Sequence, residues 1–407
     1  MEDVDAAFFD VENDGDLDLL VVTGGNEFDK NSPNELSRIY LNDGKGSFEK
    51  ANDMLPNLYE TGSVVAVHDV NNDGFLDIFI GRVAVPWYYG RSPKSHLLLN
   101  RAGQKFEVAK IGDANFLDGG MIKDALWADI DNNGEKDLIL AAMWQPIKVC
   151  FANEGLLASP VSISEDQGWW QTVKVLDYDQ DGDLDLLVGN LGLNSKLQAT
   201  HEAPLRMYLN DFDDNGQQDP ILTYDKKGVE SIFVSKKDLT KQLPGIKKKF
   251  LDYKTYAEAP LRQLFSEDLL NGGEVLVANE LRSGIFENNE GQFTFKAFDL
   301  KAQVSMIRDM LLVDINHDGR IDVFAAGNFF GSSIAEGRYS EDYGTVLLNT
   351  SEGWEVASST VMGLYLEGQI VQMEPIMIAE KRAFIVVRND DVLSIYGNQY
   401  FPKKIIE

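Results

Sequence analysis

At 407 residues with 44% hydrophobic side chains, the chain can bury a sizeable core, as two or three ordinary domains or as one repeat architecture, and disorder is not its default state. It has no run of eighteen apolar residues, and its opening "EDVDAAFFD" carries neither a basic start nor an apolar signal core. The formal charge of -29 argues against nucleic acid and anionic membranes as partners, and a single cysteine, Cys150, excludes an internal disulfide or a four-cysteine zinc site.

Taken in chain order, the elements repeat one plan. The apolar run "DAAFFD" leads into "DVENDGDLD" (Asp10 to Asp18), an aliphatic run follows, and "RIYLNDGKGSFEK" reads as a hairpin. The nonapeptide returns as "DVNNDGFLD" from Asp69, "DIDNNGEKD" from Asp129, "DYDQDGDLD" from Asp177, "DFDDNGQQD" from Asp211 and "DINHDGRID" from Asp314. These six stretches hold 24 of the 66 acidic residues, so most of the excess charge is local.

Oxygen donors at positions one, three, five and nine, with the carbonyl of position seven, suit Ca²⁺, which takes six to eight oxygens at roughly 2.3–2.6 Å. Glycine at position six permits the sharp turn. The candidate ligands are Asp10, Glu12, Asp14, Asp16 and Asp18 in the first loop, and Asp69, Asn71, Asp73, Phe75 and Asp77 in the second. The third offers Asp129, Asp131, Asn133, Glu135 and Asp137, and the fourth Asp177, Asp179, Asp181, Asp183 and Asp185. The fifth offers Asp211, Asp213, Asn215, Gln217 and Asp219, and the sixth Asp314, Asn316, Asp318, Arg320 and Asp322. Up to six Ca²⁺ ions are expected, with weaker binding where position five is Asn133 or Asn215. A lone loop of this kind reads equally well as an acidic turn, but six copies favour metal. An EF-hand is excluded because position twelve is Val21, Ile80, Leu140, Val188, Leu222 or Ala325, never Glu.

Each loop joins two apolar strands, and hairpins follow, so the spacing predicts four-stranded units around an axis: an all-β, seven-bladed β-propeller. The expected blades are 1–60, 61–118, 119–165, 166–205, 206–300, 301–360 and 361–407, with a helical or irregular insertion near 239–265. The count becomes eight if the metal-free stretch is a blade of its own.

These loops, each followed by an aliphatic strand and a glycine, resemble the FG-GAP or VCBS repeat of integrin α-subunit propellers and of bacterial secreted proteins. "DAAFFDVENDGDLDLLVVTGGNEF" and "AAGNFFGSSIAEGRYSEDYGTVLLN" are most similar to secreted VCBS-repeat proteins related to cartilage acidic proteins. The resemblance implies a calcium-stabilised propeller that is secreted or displayed at the cell surface, and a role in adhesion or carbohydrate binding. Against that pattern, the absence of a signal peptide and of a companion domain reads as a fragment or an excised domain.

In an up-and-down blade the connections after the second strands leave on the face opposite the acidic loops. There Trp87, Tyr88, Tyr89, Trp144, Phe329 and Phe330 either present stacking surfaces or pack the blade tops, with Asn26, Arg91, Asn190, Asn194, Asn328 and Arg338 as polar readers. The expected partner is a glycan or protein ligand on that face, without nucleic acid or membrane insertion, for a chain that is monomeric or part of a longer precursor. A basic run at Lys236, Lys237, Lys241, Lys247, Lys248, Lys249 and Lys254 reads as a solvated insertion or a dock for an acidic partner. No nucleophile, base and orienting partner assemble from the sequence, so a non-catalytic module is expected, with a calcium-dependent polysaccharide lyase or hydrolase as the alternative.

Overall fold

The computed structural model describes residues 2–25, 32–59, 61–333, 336–358, 363 and 365–397, with the backbone alone for Ser358 and Arg382. Asn26, and the part of the last expected blade from residue 398 onward, lie outside the described residues. The fold is all-β, and its described residues form seven sheets of three or more strands.

The first sheet comprises Glu2–Phe9, Asp18–Gly24, Arg38–Asn42 and Phe48–Ala51, and the second Gly62–His68, Asp77–Arg82, His96–Asn100 and Phe106–Val108. The third holds Met121–Ala128, Asp137–Gln145, Lys148–Cys150 and Val161–Ser162, with Gly168–Trp169 beside the far end of its second strand. The fourth holds Thr172–Leu176, Asp185–Gly189, Gly284–Asn289 and Gln292–Ala297. A nested sheet, Leu205–Asn210, Asp219–Asp225, Glu230–Ile232 and Glu274–Ala278, lies in sequence between the second and third strands of the fourth. Ile307–Val313, Asp322–Gly327, Thr345–Thr350 and Gly353–Ser358 make the sixth, and Ile370–Ile378, Lys381–Arg388 and Ser394–Gly397 the seventh.

The nesting corrects the expected units 166–205 and 206–300. Strand Asp185–Gly189 is completed by Gly284–Asn289, with Leu186 opposite Phe286 and Leu187 opposite Ile285. Loop spacing records order along the chain, whereas pairing follows the apolar faces that fit: Phe286 reaches Trp170 at 5.7 Å between ring centres, inside the core between the third and fourth sheets. The expected helical insertion is present as five short helices between Lys236 and Asn271, with a core of their own that includes Leu239, Ile246, Phe250 and Leu264. Lys236 and Lys249 donate to the carbonyls of Leu251 and Leu264, so part of the basic run ties this insertion together.

In the second, third and fourth sheets the second strands are almost continuously aliphatic because both their faces are covered. Leu138 and Leu140 pack toward the second sheet, while Ile139 and Ala141, the alternate positions, pack toward the fourth. The same alternation joins the first sheet to the second, the fourth to the sixth and the sixth to the seventh. Turned away from their neighbours, the first and seventh sheets keep exposed apolar side chains, among them Phe8 at 61% and Met377 at 62%.

The first strands of these six sheets adjoin in chain order and line one cavity of about 680 Å³. Polar side chains stitch them together. Asp5 accepts from the Val65 amide (2.7 Å), Ser63 donates to the Ile122 carbonyl (2.7 Å), and Asp124 accepts from Thr172 Oγ1 and the Val173 amide. Lys174 then bridges to Asp309 (2.9 Å), which accepts from the Met373 amide (2.6 Å). Asp5, Asp124 and Asp309 each sit where the strand register slips, and each also accepts from the next amide of its own strand. Such bulges re-aim a side chain, and here they turn three carboxylates toward the neighbouring strand.

Candidate metal centres and the opposite face

All six acidic loops share one geometry. The residue before each loop pairs with its ninth residue: Phe9 with Asp18, His68 with Asp77, Ala128 with Asp137, Leu176 with Asp185, Asn210 with Asp219 and Val313 with Asp322. Glycine at position six has positive φ in every copy, from 83° to 100°, with open space where a Cβ would stand, so backbone conformation and not crowding selects it. Position four is also left-handed in all six, held by Asn13, Asn72, Asn132, Gln180, Asp214 and His317. Asn13 and Asn132 use that turn to donate to the next loop, at the Gly74 carbonyl (2.7 Å) and Asp183 Oδ1 (2.8 Å).

Position one is the hub of the turn. Asp10, Asp69, Asp129, Asp211 and Asp314 each accept the amides of positions five and six at 2.7–3.2 Å. Position nine is a buried latch: Asp18, Asp77, Asp137, Asp185, Asp219 and Asp322 are at most 5% exposed. One oxygen of each accepts the amide of position two. In five sheets the other accepts an amide at the third strand or just after it, from Asn42, Asn100, Ala152, Asn288 and Asn349. In the nested sheet Gln242 takes that place.

Three of those asparagines reach onward. The side chains of Asn100, Asn288 and Asn349 donate to the position-two carbonyls of the preceding sheet's loop, at Val11, Ile130 and Tyr178. Every loop is thereby fastened through position nine, and the first, third and fourth also to a neighbouring sheet through position two. The hairpin runs "LLNRAG", "FENNEG" and "LLNTSEG" carry this signal, which the spacing of the acidic residues alone does not reveal.

Carboxylate oxygens converge to within 4.8 Å in three loops, from Asp129, Asp131 and Asp137, from Asp177, Asp179 and Asp181, and from Asp211, Asp213 and Asp219. Two of these are the loops with Asn at position five, expected from composition to bind more weakly. In the fourth loop Asp177 Oδ1 is buried with no hydrogen-bond partner among the described residues. An all-oxygen donor set around an orphaned carboxylate fits a hard divalent cation such as Ca²⁺, which supplies the positive charge that these groups lack. Crowding shows in the acidities. Burial and then the neighbouring Asp18, Asp14, Asp16 and Asp10 push Glu12 up, and burial with Asp181 does the same to Asp179. Burial outweighs two amide hydrogen bonds and pushes Asp77, Asp137 and Asp185 up to about 6.

On the opposite face a cavity of about 380 Å³ has Tyr89, Trp169, Phe329 and Tyr339 among its walls. Trp87 is 66% exposed at φ 69°, Tyr89 is 48% exposed, and Arg91 lies over the Tyr88 ring. Phe330 carries Arg338 over its ring at 5.0 Å, and Asn194 is exposed. Two expected readers, Asn190 and Asn328, serve the fold instead, and Trp144 takes the packing role that was its alternative. Trp144 is 3% exposed and meets Trp169 edge-on, because its strand end packs against the nested sheet. Asn190 is consumed by backbone groups of Trp169, Leu191 and Glu280, and Asn328 by those of Asp342 and Gly368. Of the Trp169–Trp170 pair, Trp170 is fully buried and Trp169 lines the cavity.

Asp342, beside Asn328, is buried and pushed up to about 6 by burial, against hydrogen bonds from the Gly344 amide and Thr345. Unfolded Asp titrates near 3.9, so this group's stabilising contribution is complete below about pH 4 and is lost as pH rises through about 6. Asp342→Asn is therefore expected to raise the melting temperature at pH 7.5, by on the order of 1–2 kcal/mol of stability, with the gain vanishing toward pH 4. A gain independent of pH in calorimetric scans would rule out titration as its origin.

The FG-GAP-like repeat family model matches residues 8–80 and 129–188, which contain the first four loops. The chain carries FG-GAP-like repeats. The nested and sixth loops, outside the matched residues, have the same strand register as these FG-GAP-like repeats. No curated protein matches the chain. Among solved structures it is similar to BBS1N in complex with ARL6DN, at 9% identity and a TM-score of 0.43 over 98% of this chain and 81% of that one. It is also similar to an Agrocybe aegerita lectin that recognises non-reducing terminal N-acetylglucosamine, at 13% identity and 0.40 over 97% and 81%. A third is the V. cholerae biofilm matrix protein Bap1, at 10% identity and 0.32 over 97% and 69%.

Proposed function

We propose that the chain is a calcium-organised propeller acting as a binding module, with its ligand, a glycan or protein, held on the face opposite the acidic loops. Six sheets ring the axis, and the nested sheet stands as an insert on the fourth. The observation that carries the reading is the fourth loop, where Asp179 and Asp181 converge on Asp177 and leave its buried Oδ1 without a partner among the described residues. Calcium at these loops holds first and second strands together and fixes the sheets whose other ends build the aromatic cavity. Open surface sites that bind at about 10⁻⁴–10⁻³ M suit an extracellular or cell-surface setting, where calcium is plentiful.

Elemental analysis of chain dialysed against millimolar CaCl₂ is expected to find three to six ions, and none would end the calcium reading. Glycan and protein arrays test the face: Trp87→Ala with Tyr89→Ala is expected to abolish binding, and full retention of every ligand would place the site elsewhere. A catalytic reading, a polysaccharide lyase, has one feature in its favour: Lys123, in the cavity wall, is held down to about 8 by burial and by Arg308. Turnover of a uronic-acid polymer decides it.

A further inference from the structure

Lys123 and Arg308, on the first strands of the third and sixth sheets, line both the axial cavity and the opposite-face cavity, so they stand with Gln171 where the two meet. Neither has a hydrogen-bond or ion-pair partner among the described residues, although the chain carries a net charge of -29. The carboxylates beside them in sequence are already engaged. Asp124 holds Thr172 and the Val173 amide, and Asp309 holds Lys174 and the Met373 amide. Glu336, which also lines the opposite-face cavity, forms no ion pair with either cation.

Asp124 offsets part of the Lys123 charge, but burial and the neighbouring guanidinium outweigh it, so the two cations raise the energy of the free protein. Burial holds the Lys123 ammonium and the Arg308 guanidinium below their usual ranges, and the guanidinium's charge lowers Lys123 further. A ligand anion removes that cost, and a guanidinium fork matches a carboxylate edge. The rest of the wall narrows the ligand. Trp169, Tyr339 and Phe329 offer ring faces, Gln171 and Tyr89 offer polar tips, and about 380 Å³ admits a sugar ring or two. A bare inorganic anion has no use for those rings.

We propose that Lys123 and Arg308 form a carboxylate subsite, and that the ligand of this cavity is a sugar residue bearing a carboxylate, of the uronic acid class. The inference rests on the opposite face being the ligand face. It predicts a trade between binding and stability: Lys123→Met removes the repulsion, so the unliganded variant is expected to melt about 1–2 °C above the parent while losing the ligand.

Titration calorimetry on the calcium-loaded full chain tests it with galacturonate, glucuronate, their short oligomers, galactose and inorganic phosphate. Oligouronates are expected to bind at least tenfold more tightly than galactose, and Arg308→Gln and Lys123→Met to weaken them at least tenfold with undiminished melting temperatures. Equal affinity for galactose, or binding of phosphate alone, overturns the carboxylate-sugar subsite. Failure of all uronates while the arrays find a neutral glycan or a protein overturns this inference and leaves the ligand face standing. Failure of both overturns both.

Discussion

Excess chelator is expected to lower the melting temperature of the chain loaded at saturating calcium by about 5–10 °C. Three loops bring carboxylate oxygens to within 4.8 Å of one another, and in the fourth a buried oxygen of Asp177 has no partner among the described residues. Without a cation, that geometry is opposed by burial and by like-charge repulsion, and Asp179, pushed up by burial and then by Asp181, already responds to both. At roughly 10–100 mM calcium, a hundred times a dissociation constant of about 10⁻⁴–10⁻³ M, each ion stabilises by about 2.7 kcal/mol, so three independent sites supply about 8 kcal/mol. That is comparable with the whole stability of many domains, about 5–15 kcal/mol. Sodium at the same ionic strength screens these charges without bridging them, so it is not expected to restore the loss. A shift under about 2 °C would mean that the loops are turns sustained by their own amide hydrogen bonds.

Asp185→Ala is expected to cost about 2–4 kcal/mol even with chelator present. The carboxylate is 1% exposed and accepts the amides of Tyr178 and Asn288, both at 2.8 Å. Alanine strands both donors, at about 1–3 kcal/mol each, less the gain from no longer burying a charge that burial already disfavours. It also loosens Asn288, whose side chain reaches the Ile130 carbonyl of the third sheet. Asp179→Ala supplies the contrast, since Asp179 is exposed and its acceptance of the Asp181 amide is long, at 3.3 Å. Its stability loss is expected in calcium and not in chelator. Urea titrations of both variants in both conditions separate the two roles, and a loss below about 1 kcal/mol for Asp185→Ala in chelator would remove the latch.

Much of this was legible in the residues. The spacing of Asp, Gly and Asp located six of the seven first-to-second strand connections in the described sheets, because a cation loop leaves little freedom in where its ligands fall; the seventh, at Ala379 and Glu380, has no such loop. Position nine could be placed in each loop, but its second task could not, since the amides it holds come from third strands far along the chain, such as Asn288 for Asp185. Position two is apolar in all six loops, and its carbonyl is where the neighbouring sheet fastens at Val11, Ile130 and Tyr178. The axial stitches at Asp5, Asp124 and Asp309 follow from register slips, which leave no mark in composition. On the ligand face, residue type misled at Asn190 and Asn328, because an amide that looks like a reader also suits a buried bracket, whereas Trp144 takes the packing role left open to it. Lys123 and Arg308 escaped attention because a cation on a strand is ordinary until the strands around it are known.

The nested sheet fixes an order of events as the chain leaves the ribosome. Strand Asp185–Gly189 is made early, but its partner Gly284–Asn289 emerges only after the whole nested sheet and the five helices. At about 5–20 residues per second, that leaves roughly 5–20 s in which the aliphatic edge of the fourth sheet waits unpaired. The insert can meanwhile collapse around its own core at Leu239, Ile246 and Phe250, drawing its two ends together. What looks in the finished molecule like an appendage is, during synthesis, the clasp that shortens a long-range closure and limits how long a sticky strand edge stays open to other chains.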